Sequence, residues 1–332
     1  MRLDSRPWPA EVLTTRGSYD DGVTTSSPAP SNPLRALAAW EPSPAAMRRA
    51  AFAAVVANVG IAFTGAVVRV TSSGLGCPDW PRCTGDSLVP THSPDHPVLN
   101  MAIEFGNRML GVAVFATVAF CLLVALRMRP RRRDVVLLAA LLPAGVLLQG
   151  IIGGLTVWYA LTPGWVTAHF LGTLVMIALT VTLHVRTHEG DGAPRVVVRP
   201  LVHRLVQALT VAVLLVMVAG TVVTGSGPHA GDADSVRYPF QLEDVAKVHS
   251  GLVWVTMALV VALVVALRRT RPEGPAFTRL LQLSGVLVAQ AAIGLVQYFT
   301  GVPAALVSLH VLAACVLWVA ALRLLYAMRV RA

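Results

Sequence analysis

Three histidines inside strongly apolar segments are the side chains of this sequence with the clearest chemistry. His169, His249 and His310 each lie in an apolar run long enough to cross a membrane. An ionisable residue inside a membrane is costly and usually functional. Two imidazoles that face each other from two helices of a bundle commonly hold haem iron at both axial positions. A lone helical histidine more often makes an interhelical hydrogen bond, so the interpretation depends on whether the three are related.

An internal repeat relates them. Three pairs of segments align, namely "QGIIGGLTVWYALTPGWVTAHF" (149–170) with "QAAIGLVQYFTGVPAALVSLHV" (290–311), "GAVVRVTSSGLGC" (65–77) with "GTVVTGSGPHAGD" (220–232), and "EFGNRMLG" (104–111) with "AKVHSGLV" (246–253). The alignment pairs His169 with His310, and Asn107 with His249. Three related histidines at similar depth favour a metal or haem role, whereas tetrahedral zinc needs more cysteine, histidine or carboxylate ligands.

Glu104 and Arg108 lie one turn apart at the predicted start of an apolar run. They can simply pair, and a carboxylate near a helix start is favoured by the helix dipole. Alternatively, a partly desolvated glutamate beside a substrate can accept a proton. Arg69 and Arg108 can bind carboxylates in a bidentate manner, or they can anchor their helices at the membrane interface. The residues alone leave these alternatives open.

A cysteine pair lies in "GLGCPDWPRCTG". The six-residue separation of Cys77 and Cys83 favours a small disulfide ring in an oxidising compartment. Zinc is the alternative, because His92 and His96 follow at a spacing that only loosely resembles a zinc finger.

Eight apolar runs must position these residues. The chain of 332 residues is 55% hydrophobic and 13% charged, which predicts an all-α integral membrane protein and excludes an ordinary soluble domain. The predicted spans are 49–70, 104–126, 134–158, 164–185, 204–224, 246–267, 279–300 and 304–326. Residues 1–47 are rich in Pro, Ser and Ala and are predicted to form a disordered arm.

The distribution of arginine predicts the orientation. Most arginines lie in 127–134, 186–204, 268–279 and the C-terminal tail, so we expect these segments and both termini in the cytoplasm and the loops 71–103 and 225–245 outside. The net charge of +10 therefore reflects topology and does not indicate nucleic-acid binding.

The repeat also predicts the domain organisation. We expect two four-helix bundles, 48–186 and 204–327, joined by a linker at 187–203 and followed by a tail at 328–332. Since four is an even number, the two repeats are parallel, related by an axis along the membrane normal.

Taken together, the stretch "TGAVVRVTSSGLGCPDWPRCTG", Glu104 followed by Arg108, the repeated helical histidines and "GSGPHAGD" resemble the haem A synthase family of bacteria. The resemblance runs from about residue 49 to residue 325. It implies a multi-pass plasma-membrane oxidoreductase that converts a ring methyl of haem O to a formyl group through a hydroxylated intermediate, giving haem A for cytochrome oxidase. It also implies haem O synthase upstream and oxidase assembly downstream as partners. Homo-oligomerisation is left open.

The resemblance assigns roles to individual residues. It implies that His249 and His310 bind the iron of a haem b cofactor, that His169 binds the iron of the substrate haem, and that Glu104 is required for activity. It maps the family's outer cysteine pair to Cys77 and Cys83.

Asn107 stands where the family's Glu-x-x-His-Arg motif has histidine. A carboxamide is a poor ligand for haem iron, so we expect His169 alone to bind substrate iron, with the other face open or only weakly occupied. Two other classes of protein make different predictions. A quinol-linked di-haem electron-transfer cytochrome predicts complete axial ligation in both halves, which Asn107 opposes. A transporter predicts paired helix breaks at the midplane, and these are not evident.

Overall fold

Eight long helices dominate the computed structural model, which describes residues 40–91, 97–272 and 274–331. They are α1 Pro44–Val70, α2 Val98–Arg127, α3 Arg133–Trp158, α4 Pro163–Arg186, α5 Pro200–Ser226, α6 Leu242–Thr270, α7 Ala276–Phe299 and α8 Ala304–Tyr326. All eight are long and apolar enough to cross a membrane, which confirms the predicted fold class. Residues 1–39 of the predicted arm, His92 and His96 lie outside the described residues.

Several helices begin earlier than the apolar runs predict. The start of α1 moves to Pro44, where the Ser43 hydroxyl accepts a hydrogen bond from the Ala46 N–H at 3.2 Å. Proline at the first helical position also opens α4 and α5, because its missing N–H is not needed there. The start of α2 moves to Val98, so Glu104 is the seventh residue of its helix. The prediction that Glu104 lies near the helix start is therefore wrong, and the helix dipole, which acts within the first turn, no longer explains it.

The helices pack in two groups of four. Helices α1–α4 contact one another in sequence and α1 also contacts α4; α5–α8 repeat the pattern, with α5 against α8. The groups meet where α8 packs against α1 and α4, and where α4 packs against α5. In this apolar interface the Trp318 indole N–H donates to the Leu174 carbonyl at 3.0 Å, so a polar group is satisfied in the core.

The repeat is present in the backbone conformation as well as in the amino-acid sequence. The α3–α4 turn places Ala160 and Leu161 at φ values of 46° and 55°, and the α7–α8 turn places Gly301 and Val302 at 76° and 60°. Under the alignment these are equivalent positions. A β-branched residue rarely adopts a left-handed conformation, so Val302 is held there by its surroundings. The two groups of helices therefore use the same left-handed backbone conformation in the turn between their third and fourth helices.

The end of the bundle where α1 begins, which we call the arginine-rich face, is joined by ion pairs. Arg186 is buried and bonds to the carboxylates of Asp134 and Glu189. A two-residue strand, β1 Arg195–Val196, pairs antiparallel with β2 Arg329–Val330 after α8. The opposite end carries the loops with the sequence motifs, and we call it the motif face.

Candidate functional site

His249 and His310 face each other near the motif face. His249 is the eighth residue of α6 and His310 the seventh residue of α8, so the two lie at matching depth. Their ring centroids are 6.5 Å apart and the ring planes are inclined by 60°. In each ring Nδ1 is enclosed by protein atoms. The nitrogen that remains to bind a ligand is therefore Nε2.

Each imidazole lies against a glycine of a neighbouring helix. A Cβ added to Gly294 would lie 3.1 Å from Cε1 of His310, and one added to Gly220 would lie 3.3 Å from Cε1 of His249. Carbon atoms pack most favourably at about 3.5–4.0 Å, so an alanine would push either ring. Glycine at these positions lets the rings lie close along the helices and fixes their separation.

His169 repeats the environment of His310 in the other half. A Cβ added to Gly153 would lie 3.3 Å from its Cε1. The amide of Gln149 donates to the His169 carbonyl at 3.2 Å, and that of Gln290 donates to the His310 carbonyl at 3.0 Å. Two halves that differ in most side chains keep the same glycine and the same glutamine beside the histidine. His169 and His310 therefore have equivalent surroundings in the two halves.

Asn107 occupies the position that matches His249, and its surroundings differ. Its Oδ1 accepts a hydrogen bond from the Thr64 hydroxyl of α1 at 2.7 Å. Gly65, the equivalent of Gly220, has no atom within 4 Å of an added Cβ. The shorter amide is thus held toward Thr64, and the space that an imidazole fills in the other half stays open.

Cys77 and Cys83 form a disulfide, which confirms the predicted pairing. Because both sulfurs are in the bond, the zinc alternative at these cysteines is excluded. The ring rests on the motif-face end of α3. Trp80 packs so closely on Gly154 that an added Cβ would lie 2.4 Å from the indole, and the Trp158 indole N–H donates to the Trp80 carbonyl at 3.1 Å.

Glu104 joins this ring to α2 from a buried position. One carboxylate oxygen accepts the Cys77 N–H at 2.7 Å, and the other accepts the Arg108 guanidinium at 2.6 and 3.2 Å. The other N–H groups of Arg108 donate to the carbonyls of Cys77, Asp79 and Arg82 at 2.7–3.0 Å. All five donors of Arg108 are therefore used in holding the loop, and in this conformation none remains for a ligand carboxylate.

Arg69 links the two halves at the motif face. Its Nε donates to the His229 carbonyl at 2.6 Å and its Nη2 to the Thr224 carbonyl at 3.1 Å. The Gly74 N–H of the first outer loop donates to the Gly231 carbonyl of the second at 2.9 Å. A ring nitrogen of His229 lies 2.8 Å from the Val302 carbonyl. The motif stretches of both halves thus form one hydrogen-bonded layer.

The described residues contain no cluster of three or more His, Cys, Asp or Glu side chains able to hold a metal ion. The intramembrane histidines, by contrast, occur as a facing pair and a single matched residue. Such an arrangement suits a cofactor that brings its own equatorial ligands, since only axial ligands then come from the protein.

The fold and these residues define an eight-span membrane protein with repeat-related histidines below a disulfide-closed loop. The profile of a family described as cytochrome oxidase assembly protein (COX15-CtaA) matches residues 48–322, and the chain belongs to this family.

Individual relatives agree with the family match. The chain is 33% identical over 139 residues to the haem A synthase of Shewanella oneidensis, covering 37% of this chain and 40% of the relative. It is 27% identical over 140 residues to that of Halalkalibacterium halodurans, covering 42% and 45%, and 30% identical over 141 residues to that of Bacillus pumilus, covering 41% and 43%. The matched region spans less than half the length of each of these curated relatives.

Sequence reasoning missed three groups of residues at the site. The glycines opposite the imidazoles and the glutamines beside them were visible in the repeat alignment, where they pair as consistently as the histidines. The packing of Trp80 against Gly154 could not be predicted, because a linear motif does not indicate which helix a loop packs on.

Proposed function

We propose that this chain is a haem A synthase, which oxidises a ring methyl of haem O to a formyl group in the membrane. The observation that carries the proposal is the pair of facing imidazoles, matched in depth and backed by glycine, in a chain of this family. The similarity to haem A synthases over the matched region supports the reaction. The plasma membrane as location, the cytoplasmic termini, and handover from a haem O synthase to oxidase assembly follow from the same proposal.

The residues of the second half fit a haem b cofactor. An imidazole nitrogen binds a first-row metal at about 2.0–2.1 Å. With the nitrogen roughly 1.1 Å from its ring centroid, two axial imidazoles on one iron have centroids about 6.3 Å apart. The observed separation of 6.5 Å between His249 and His310 agrees with this value. Haem iron bound there would supply reversible one-electron transfer.

His169 is the residue that we assign to substrate haem. It has the glycine and glutamine support of His310, so the same type of ligand suits it. Opposite it, Asn107 is held by Thr64 beside the open space at Gly65. We infer that the substrate is bound through one axial histidine, which leaves the other side accessible to the reaction.

Glu104 is the residue that we assign to proton transfer, because it precedes Asn107 by three residues and so lies on the same side of α2. Its carboxylate accepts hydrogen bonds from Arg108 and from the Cys77 and Gly76 N–H groups, which hold both oxygens in place. In the proposed reaction this carboxylate accepts a proton from the hydroxylated methyl group or from water. Of the two arginines considered for the substrate propionates, Arg69 has only two of its five N–H groups in the hydrogen bonds described above, so we assign this role to Arg69 and not to Arg108.

The test is haem extraction and mass analysis from cells that express the chain together with a haem O synthase. We expect haem A, or its hydroxylated precursor, with the unchanged protein and with Asn107→Ala. Glu104→Gln keeps an oxygen for Arg108 but loses the base, so we expect haem O to accumulate in a folded, haem-loaded protein.

Two outcomes would change the assignment. Haem A formation by Glu104→Gln at the normal rate would leave Glu104 a purely structural role. Haem b and haem O alone with the unchanged, loaded protein would replace the enzyme by a di-haem electron-transfer cytochrome. That alternative requires a second axial ligand in the first half, and Asn107 does not provide one.

A further inference from the structure

A cleft of about 160 Å³ opens between α7 and α8 at the arginine-rich face, far along both helices from His310. Its rim carries Arg279 and Arg323 together with Gln282, and its wall is formed by Val286, Val316 and Ala320. One end of the cleft is therefore cationic and the other apolar. The proposed reaction uses none of these residues.

The two arginines line the same cleft, and no carboxylate among the described residues lines it with them. Arg279 donates to the Gln282 amide oxygen at 2.8 Å, and Arg323 lies close enough for the two charges to repel. Two acidic residues of this face, Asp134 and Glu189, bond to Arg186 instead. Two guanidinium groups held together at a partly desolvated site are stabilised by an anion that both can bind.

The location of Arg279 and Arg323 along their helices indicates which class of anion can bind. Arg279 is the fourth residue of α7 and Arg323 the fourth from the end of α8, so both lie where a spanning helix leaves the hydrocarbon. The valine wall continues from there toward the membrane interior, along helices exposed to lipid. Basic pockets between spanning helices at this depth bind the head groups of anionic lipids.

We propose that this cleft binds an anionic phospholipid, with its phosphate between Arg279 and Arg323 and the start of one acyl chain against the valine wall. A free phosphate ion could bind the two arginines, but it would make no apolar contacts with the valine wall. A zwitterionic lipid would be disfavoured, because its cationic group would meet the same two arginines.

The experiment is native mass spectrometry of the detergent-purified chain, titrated with phosphatidylglycerol or with phosphatidylcholine. We expect preferential retention of phosphatidylglycerol. Loss of a charge-assisted hydrogen bond to a phosphate weakens binding by at least about fivefold, so Arg279→Gln with Arg323→Gln should weaken it by at least about thirty-fold. The matched control is Arg133→Gln with Arg204→Gln, which removes the same charge from exposed positions outside the cleft on the same face. These two arginines do not contact the bound phosphate, so binding should stay within about twofold.

A third variant tests the acyl chain separately from the phosphate. Ala320→Phe fills the wall and keeps both arginines, so it should weaken phosphatidylglycerol binding while thermal stability is retained. Equal loss of binding in the control pair would overturn the proposal, because general surface charge would then explain the preference. Unchanged binding in Ala320→Phe, with displacement of the lipid by millimolar inorganic phosphate, would also overturn it and leave a simple phosphate site.

Discussion

The glycine opposite each imidazole provides a direct test of the haem-binding geometry. In Gly294→Ala the new Cβ would lie 3.1 Å from Cε1 of His310. Because carbon atoms pack favourably at about 3.5–4.0 Å, the ring must move by at least about 0.4 Å, away from a position that matches axial ligation. Inserting a methyl group into a packed site costs about 1–3 kcal/mol. We therefore expect an affinity for haem b about 5- to 150-fold lower, together with a shifted low-spin absorption spectrum.

Gly65→Ala is the matched control. It makes the same chemical change at a helical glycine, and both alanines gain the same helix propensity of up to about 1 kcal/mol. An added Cβ at Gly65 meets no atom within 4 Å, so we expect haem b affinity and spectrum to be unchanged.

The assay is haem titration of the purified apoprotein, followed by absorbance, for Gly294→Ala, Gly65→Ala and the unchanged chain. Unaltered affinity and spectrum in Gly294→Ala would refute the reasoning, since the ring would then not depend on the close approach. An equal loss in both variants would attribute the effect to the helix and not to the imidazole. Gly153→Ala extends the test, because it should weaken substrate haem binding at His169 and spare haem b.

Three further predictions follow from the ion pairs and the disulfide. Glu104→Ala leaves the Arg108 charge without its carboxylate, and we expect about 3 kcal/mol of lost stability in denaturation experiments; a change below about 1 kcal/mol would contradict the buried pair. Cys83→Ser opens a ring closed over a separation of six residues, so thermal unfolding should reveal a loss of about 2 kcal/mol, and a dithiothreitol-treated unchanged chain should behave alike. Arg186→Met should cost more stability than Asp134→Asn, because the arginine side chain is 5% exposed and the aspartate 43%; the reverse order would show that the carboxylates carry the network.

Much of the fold follows from the sequence because a membrane restricts the choices. Eight apolar runs predict eight helices, since a spanning segment must satisfy its own backbone hydrogen bonds. Helix ends were less predictable, because hydropathy marks the hydrocarbon boundary whereas a helix continues into the interface. The start of α2 illustrates this: the Asn100 amide donates to the Ser72 carbonyl at 2.8 Å, which supports helical turns beyond the apolar run.

The site residues that lie at equivalent positions of the repeat were predictable from the sequence, and the others were not. The pairing of His169 with His310, and of Asn107 with His249, came from alignment alone. The role of Arg108 did not, because its partners are backbone carbonyls of a loop that lies 26–31 residues earlier in the chain. A side chain that binds backbone atoms leaves no complementary residue type in the sequence to reveal the contact.

The contact between Arg69 and Thr224 has a consequence for the origin of the chain. The alignment makes these two residues equivalent, and the guanidinium of one donates to the carbonyl of the other. If the two halves are related by the two-fold axis that the repeat predicts, a position that touches its own equivalent lies at that axis, as in an isologous dimer. If a four-helix ancestor carried arginine at this position and paired with a second copy, two like charges would have met there. Fusion of the two copies into one gene removes that constraint, because each half can then change alone. It also allows the two halves to differ as they do at the equivalent positions His249 and Asn107.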